Sequence, residues 1–142
     1  MTGNNQSLFD DVQVRYFKKP GPKNTHAVLE TVLKRAQDLA IKKILLASNT
    51  GRTAFEALDV LGSDFEIIAI THVTGFQKPN HQELPQEVRR QLESKGIRVL
   101  TCQHAFGGVG RAVRNKLATY QVDEIIAHTL RTFGQGTKVA VE

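Results

Sequence analysis

Hydrophobic residues along this chain alternate between two periods, and the elements follow from where the period changes. From Val12 to Phe17, Val12, Val14 and Tyr16 alternate with Gln13 and Arg15, which predicts a strand with one face better covered than the other. Lys19-Pro20-Gly21-Pro22 reads as a rigid turn, and Asn24 or Thr25 stands where a helix cap belongs. Val28, Leu29, Val32, Leu33, Ala36 and Leu39 then recur at helical spacing. Lys43 to Ala47 and Glu66 to Thr71 carry continuous aliphatic runs, as strands covered on both faces of a parallel sheet do. Between them, Thr53 to Leu61 places Ala54, Ala57, Leu58 and Leu61 on one helical side and stops at Gly62. A loop from His72 to Leu84 precedes a helix opened by Pro85, faced by Val88 and Leu92 and ended at Gly96. Arg98 to Cys102 is a fourth strand, followed by the glycine-rich turn Gln103 to Gly110, a short helix from Arg111 to Leu117, and another helix from Asp123 to Phe133. Lys138 to Val141 reads as a final strand.

Strands and helices that alternate with short turns predict an α/β protein, a three-layer α/β/α sandwich around a mostly parallel sheet of about five strands. Residues 12–142 suit one folding unit, while 1–11 is polar, without a period, and expected to be a flexible tail. In such a sheet the polar turns after the first four strands share one edge, where ligands bind.

The chemistry concentrates at that edge in Ser48-Asn49-Thr50-Gly51-Arg52-Thr53-Ala54, between a buried strand and a helix. A helix start presents backbone N–H groups without intrahelical partners, and the helix dipole adds partial positive charge there. Hydroxyls of Ser48, Thr50 and Thr53 surround the point, Arg52 stands beside it, and Gly51 permits positive φ or close approach of a ligand. The turn therefore predicts a phosphate pocket, although Ser48 and Thr53 also suit plain helix capping. His72, Thr74, Gly75 and His104 follow neighbouring strands and are expected to converge on the same site.

Composition narrows the partners. With 142 residues, 40% hydrophobic and 23% charged, the chain has ordinary globular proportions, and no apolar run approaches a membrane-spanning length. The start does not read as a signal peptide, and the lone Cys102 permits no internal disulfide, so a cytoplasmic location is expected. A formal charge of +5 favours anions. The basic residues are nevertheless scattered, and the 6% aromatics lack the interleaving of a base-stacking platform, so nucleic acid is not the expected partner. Gly107-Gly108-Val109-Gly110 lacks the Gly-x-Gly-x-x-Gly spacing, and Ser48 to Thr53 lacks the lysine of a P-loop. His72 and His104 admit a general-base or metal-ligand reading beside an ordinary turn role, but no Asp, Glu or Cys joins them at useful spacing and no metal is expected. Lys78 and His81 lie in a loop suited either to closing over a ligand or to simple solvation.

Ile44 to Thr71 resembles the C-terminal α/β domain of pyruvate kinase, in which a Thr/Ser-x-Ser/Thr-Gly-Arg-Ser/Thr-Ala turn grips a phosphate of a sugar bisphosphate. Tyr16 to Glu142 is similar to the stand-alone pyruvate-kinase-C-terminal-domain-like family of archaea and bacteria, through YFKKPGPKNT, SNTGRTA, THVTGF and TLRTFGQGTKVAVE in that order. The resemblance implies three layers around a mixed sheet of five main strands, one of them antiparallel. It also implies Ser48, Thr50 and Thr53 at phosphate-contacting positions, with the backbone of Gly51 and Arg52 alongside. It carries no catalytic barrel and hence no kinase activity; family members look like binders of a phosphorylated ligand, with flavin mononucleotide (FMN) the leading candidate. The family continues past the strand ending at Val141 with a further strand and a glycine-rich segment, so the resemblance implies a fragment or shortened member. An uncovered edge at Val139 and Val141 would then favour a homo-oligomer. Three functional classes follow: a binding module for a phosphorylated small molecule, an enzyme using flavin or a histidine, and a regulatory subunit that senses a phospho-ligand.

Overall fold

The computed structural model describes residues 8, 9 and 11–142, so the expected tail over 1–11 lies largely outside the described residues. Three of the expected strands form: β1 (Lys43–Ala47), β2 (Glu66–Thr71) and β3 (Arg98–Thr101), ordered β1-β2-β3 and parallel throughout. Helices α1 (Thr25–Asp38), α2 (Arg52–Leu61), α3 (Gln86–Ser94), α4 (Val109–Leu117) and α5 (Val122–Arg131) agree with the helical periodicity to within a few residues, and α6 (Gln135–Val141) follows. The α/β class is therefore correct, with three strands described rather than about five.

Side chains separate by parity across the sheet. Ile44, Leu46, Ile67, Ala69 and Val99 face a core completed by Leu29 of α1, Ala54, Ala57 and Leu61 of α2, and Leu92 of α3. Ala54 and Ala57 are fully buried; without longer side chains they let α2 lie close on β1 and β2. On the opposite face Ile70 is buried, but Leu45 and Leu100 remain 44% and 47% exposed, because α6 against β1 covers only part of that surface.

Two strand expectations are corrected. Residues 11–17 have no regular structure and run beside α1, held by Arg15 to the Ala27 carbonyl at 2.9 Å and to Glu30 at 3.3 Å, and by Lys34 to Gln13 at 3.3 Å. Polar members of the alternation make these contacts, while Val12, Val14 and Tyr16 stay exposed, the reverse of what a half-buried strand needs. Lys138 to Val141 lies in α6, burying Lys138 and Val139 and exposing Val141. Four alternating residues do not distinguish the two states, and a helix satisfies its own backbone groups without a neighbouring strand. The argument for self-association from an edge at Val139 and Val141 falls with that strand. Among the described strands β1 and β3 are the edges of the sheet, and β1 is bordered by an apolar groove of about 560 Å³ between α1 and α6. Among the described residues no helix is long and apolar enough to cross a membrane.

At the amino ends of the strands Glu66 receives Arg98 at 2.7 Å and Lys43 at 3.2 Å, linking all three strands. The Arg98 guanidinium first, and then Lys43, holds the Glu66 carboxyl below the usual carboxylate range. A carboxyl lowered on folding adds stability above its unfolded pKa and loses it as pH falls through the folded value. A ¹³C titration of the Glu66 carboxyl should therefore give a midpoint below that of an unperturbed glutamate, moving upward in Arg98→Gln. An unmoved midpoint would remove Arg98 as the main cause.

Candidate functional site

Because β1, β2 and β3 are parallel, Ala47, Thr71 and Thr101 end at one edge, and the segments after them meet there. After β1, the Ser48 amide donates to the Ile70 carbonyl at 2.9 Å, extending the ladder one step beyond the strand. This fixes Ser48 in the interior at 5% exposure, where its hydroxyl has no hydrogen-bond partner. Gly51 then adopts φ 86° and ψ −19° immediately before α2. A Cβ on Gly51 would stand 2.5 Å from Val88 Cγ1, so both the left-handed backbone and the packing against α3 require glycine. The first α2 bond runs from the Phe55 amide to the Gly51 carbonyl at 3.0 Å, and no side chain of the N-cap residue closes the helix start. The amides of the first turn thus point out of α2 without intrahelical acceptors. Thr50 and Arg52 are exposed, with Arg52 3.6 Å from Glu56; Thr53 is half-buried and lines the end of the groove along β1.

Asn49 has a different role from its neighbours. Its Oδ1 accepts the His72 amide at 3.1 Å and its Nδ2 meets His72 Nε2 at 3.1 Å, tying the turn after β1 to the segment after β2. His72 Nδ1 faces the Glu83 carboxylate, which places the ring proton on Nδ1 and leaves Nε2 to accept from Asn49. Gln77 donates to the other Glu83 oxygen at 2.6 Å, and Phe76 packs on the His72 ring at 4.1 Å between centroids. With both nitrogens engaged, His72 acts here as a strut.

Thr74 and Gly75 are used within their own loop: the Thr74 hydroxyl accepts Gln82 at 3.2 Å, and the Gly75 amide donates to the His81 carbonyl at 2.9 Å. His104 lies 6.4 Å from His72 between centroids, so the expected approach of the two histidines is present. Its Nε2 donates to the Thr71 carbonyl at 3.4 Å and its Nδ1 stands 3.4 Å from Glu142, which also pairs with the buried Lys138. The cavity between the histidines measures about 20 Å³, room for a water and no ligand. Among the described residues no group of three or more His, Cys, Asp or Glu is placed to hold a metal ion.

Sequence reasoning did not find Glu83, Lys138 or Glu142. The i,i+4 spacing of Lys138 and Glu142 is an ion-pair signal once the segment is helical, and reading it as a strand concealed it. Nor did it find the fate of the glycine-rich turn: the Gly110 amide donates to Asp123 Oδ2 at 3.1 Å, so a carboxylate from α5 occupies the start of α4. The two helix starts at this edge therefore differ, one filled by the protein and the other without a side-chain cap.

No family model matches the chain. Substituting Gly51→Ala forces a left-handed alanine against Val88, and should lower unfolding free energy by about 1–3 kcal/mol in urea titration. A loss below about 0.5 kcal/mol would show that the turn tolerates a side chain and is not held as described.

Proposed function

We propose that this protein binds a phosphorylated small molecule, FMN foremost, and receives its phosphate at the turn 48–54. The observation that carries the reading is the Ser48 hydroxyl, buried and without a partner, four residues before α2 begins at Arg52. A buried hydroxyl left unpaired costs about 1–3 kcal/mol, and an oxyanion returns that cost by accepting its proton. The same anion can accept first-turn amides and gain from the dipole of the ten-residue helix. The Asp123 carboxylate at α4 supports the argument by contrast, since it supplies there the negative charge that the α2 start lacks. Arg52 is exposed and only loosely joined to Glu56, free to turn toward bound phosphate. Asn49 holds the turn in place through His72 and is a positioning residue in this reading. The resemblance of Ser48 to Ala54 to the phosphate-gripping turn of the pyruvate kinase C-terminal domain points the same way.

Calorimetric titration of the full chain with FMN and riboflavin tests this directly. FMN should bind at least about tenfold tighter than riboflavin, which lacks the phosphate. Ser48→Ala should leave the free protein as stable as before, or slightly more so, while weakening FMN by about tenfold. Thr53→Ala should cost about 1.5–3 kcal/mol of binding if its hydroxyl joins the charged contact. Equal affinities for FMN and riboflavin, or unchanged FMN binding in Ser48→Ala, would end the assignment.

A further inference from the structure

A cavity of about 690 Å³ lies away from the α2 turn, between α4 and α5. That is the size of a site for a mononucleotide-sized ligand. Its α5 wall comes from Glu124, Ala127, His128 and Arg131, which share one helical face, and its α4 wall from Arg111 and Arg114 one turn apart. Buried Ala127 leaves the floor open, and the aromatic rings of Phe106 and Tyr120 stand at the sides.

The charges around this space do not cancel. Arg114 pairs with Glu124 at 3.0 Å and lies over Tyr120, its guanidinium 5.9 Å from the ring centroid. Arg111 faces the Phe76 ring at 5.7 Å, and Arg131 donates to the neutral Gln135 amide at 3.0 Å; among the described residues neither has an acidic partner. Three guanidinium groups thus border one cavity with a single carboxylate among them, an arrangement that multivalent negative charge relieves. Glu124 adds a second requirement. Its side chain is 10% exposed, and Oε2 is buried without a hydrogen bond, so one acceptor remains for a donor on the ligand.

We propose that the α4–α5 cavity is a second binding site, separate from the turn 48–54, for an aromatic polyanion of nucleotide type. Arg111 and Arg131 receive the phosphates, Tyr120 and Phe106 flank the ring, and Glu124 Oε2 accepts from a ligand N–H or O–H. ATP, tripolyphosphate and adenosine are the probes, titrated calorimetrically into the full chain. ATP should bind saturably and at least about tenfold tighter than either fragment alone. Arg111→Gln/Arg131→Gln should weaken ATP by about tenfold or more, with Ser48→Ala changing it less than about twofold. Arg131→Gln alone, at an exposed side chain, repeats the test if the double variant loses its native amide spectrum. Unchanged ATP binding in the arginine variants, a loss confined to Ser48→Ala, or no saturable binding at millimolar ATP would overturn the proposal. Tripolyphosphate as tight as ATP would remove the aromatic part of the ligand class. Because Ser48→Ala and the arginine variants separate the two sites, failure here is distinguishable from failure at the α2 turn.

Discussion

The close approach of α2 to the sheet is the constraint on which the rest of this molecule depends. Ala54 and Ala57 are completely buried against β1 and β2, and Leu61 and Leu92 seal the core beside them. A helix resting on alanines has little freedom to slide, because any larger side chain at those positions would lift it from the strands. Its first turn is thereby fixed beside the carboxyl end of β1, and the left-handed Gly51 closes the four-residue connection between them. The anion site proposed at this helix start would need donors that are already oriented, and packing several residues inside the helix orients the first-turn amides.

The remaining edge is braced by polar links between successive crossovers. Asn49 joins the turn after β1 to His72 after β2, and Glu83 holds the far side of that imidazole. The hydroxyls of Thr71 and Thr101 bond at 2.6 Å across β2 and β3, and Arg89 of α3 reaches Thr101 and the Val99 carbonyl. These links use side chains that, taken singly, suggest catalysis. In partly buried surroundings most of these polar groups find protein partners, which makes the histidines rigid at the expense of their availability as bases. The Ser48 hydroxyl departs from that rule within the same edge, and this gives it more weight than a lone serine in a turn would have.

Much of this arrangement was legible in the residues. Continuous aliphatic runs at 44–47 and 67–70, a helical period across 53–61, and Gly51 between them located β1, β2, α2 and their turn. The alternation at 12–17 misled because a period of two records only that side chains can take opposite sides; it does not record whether a strand edge is present to pair with. Lys138 to Val141 misled for the same reason, its four residues being shorter than the window in which the two periods separate. Partners such as Glu83 and Glu142 were hidden by distance along the chain. Ten residues of loop part Glu83 from His72, and only the folded path of that loop decides which carboxylate arrives.

The two faces of the sheet also divide the molecule mechanically. The face covered by α1, α2 and α3 contains nearly all the buried apolar side chains. On the other side, α4 and α5 each bury only a small residue, Gly110 and Ala127, while Val109, Leu117, Val122 and Phe133 remain exposed. Segments with so few buried apolar contacts open at lower free energy than the core they rest on. The turn after β1 therefore sits on the stiff half, where, in the proposed reading, preformed donors would receive a compact phosphate without rearranging. The arginine-lined cavity sits on the softer half, where α5 packs on α6 and α4 is joined to α5 by the Asp123 cap and the Arg114–Glu124 pair. A larger polyanion filling that space would add contacts to helices that have few of their own, so occupancy and local order there are two expressions of one equilibrium.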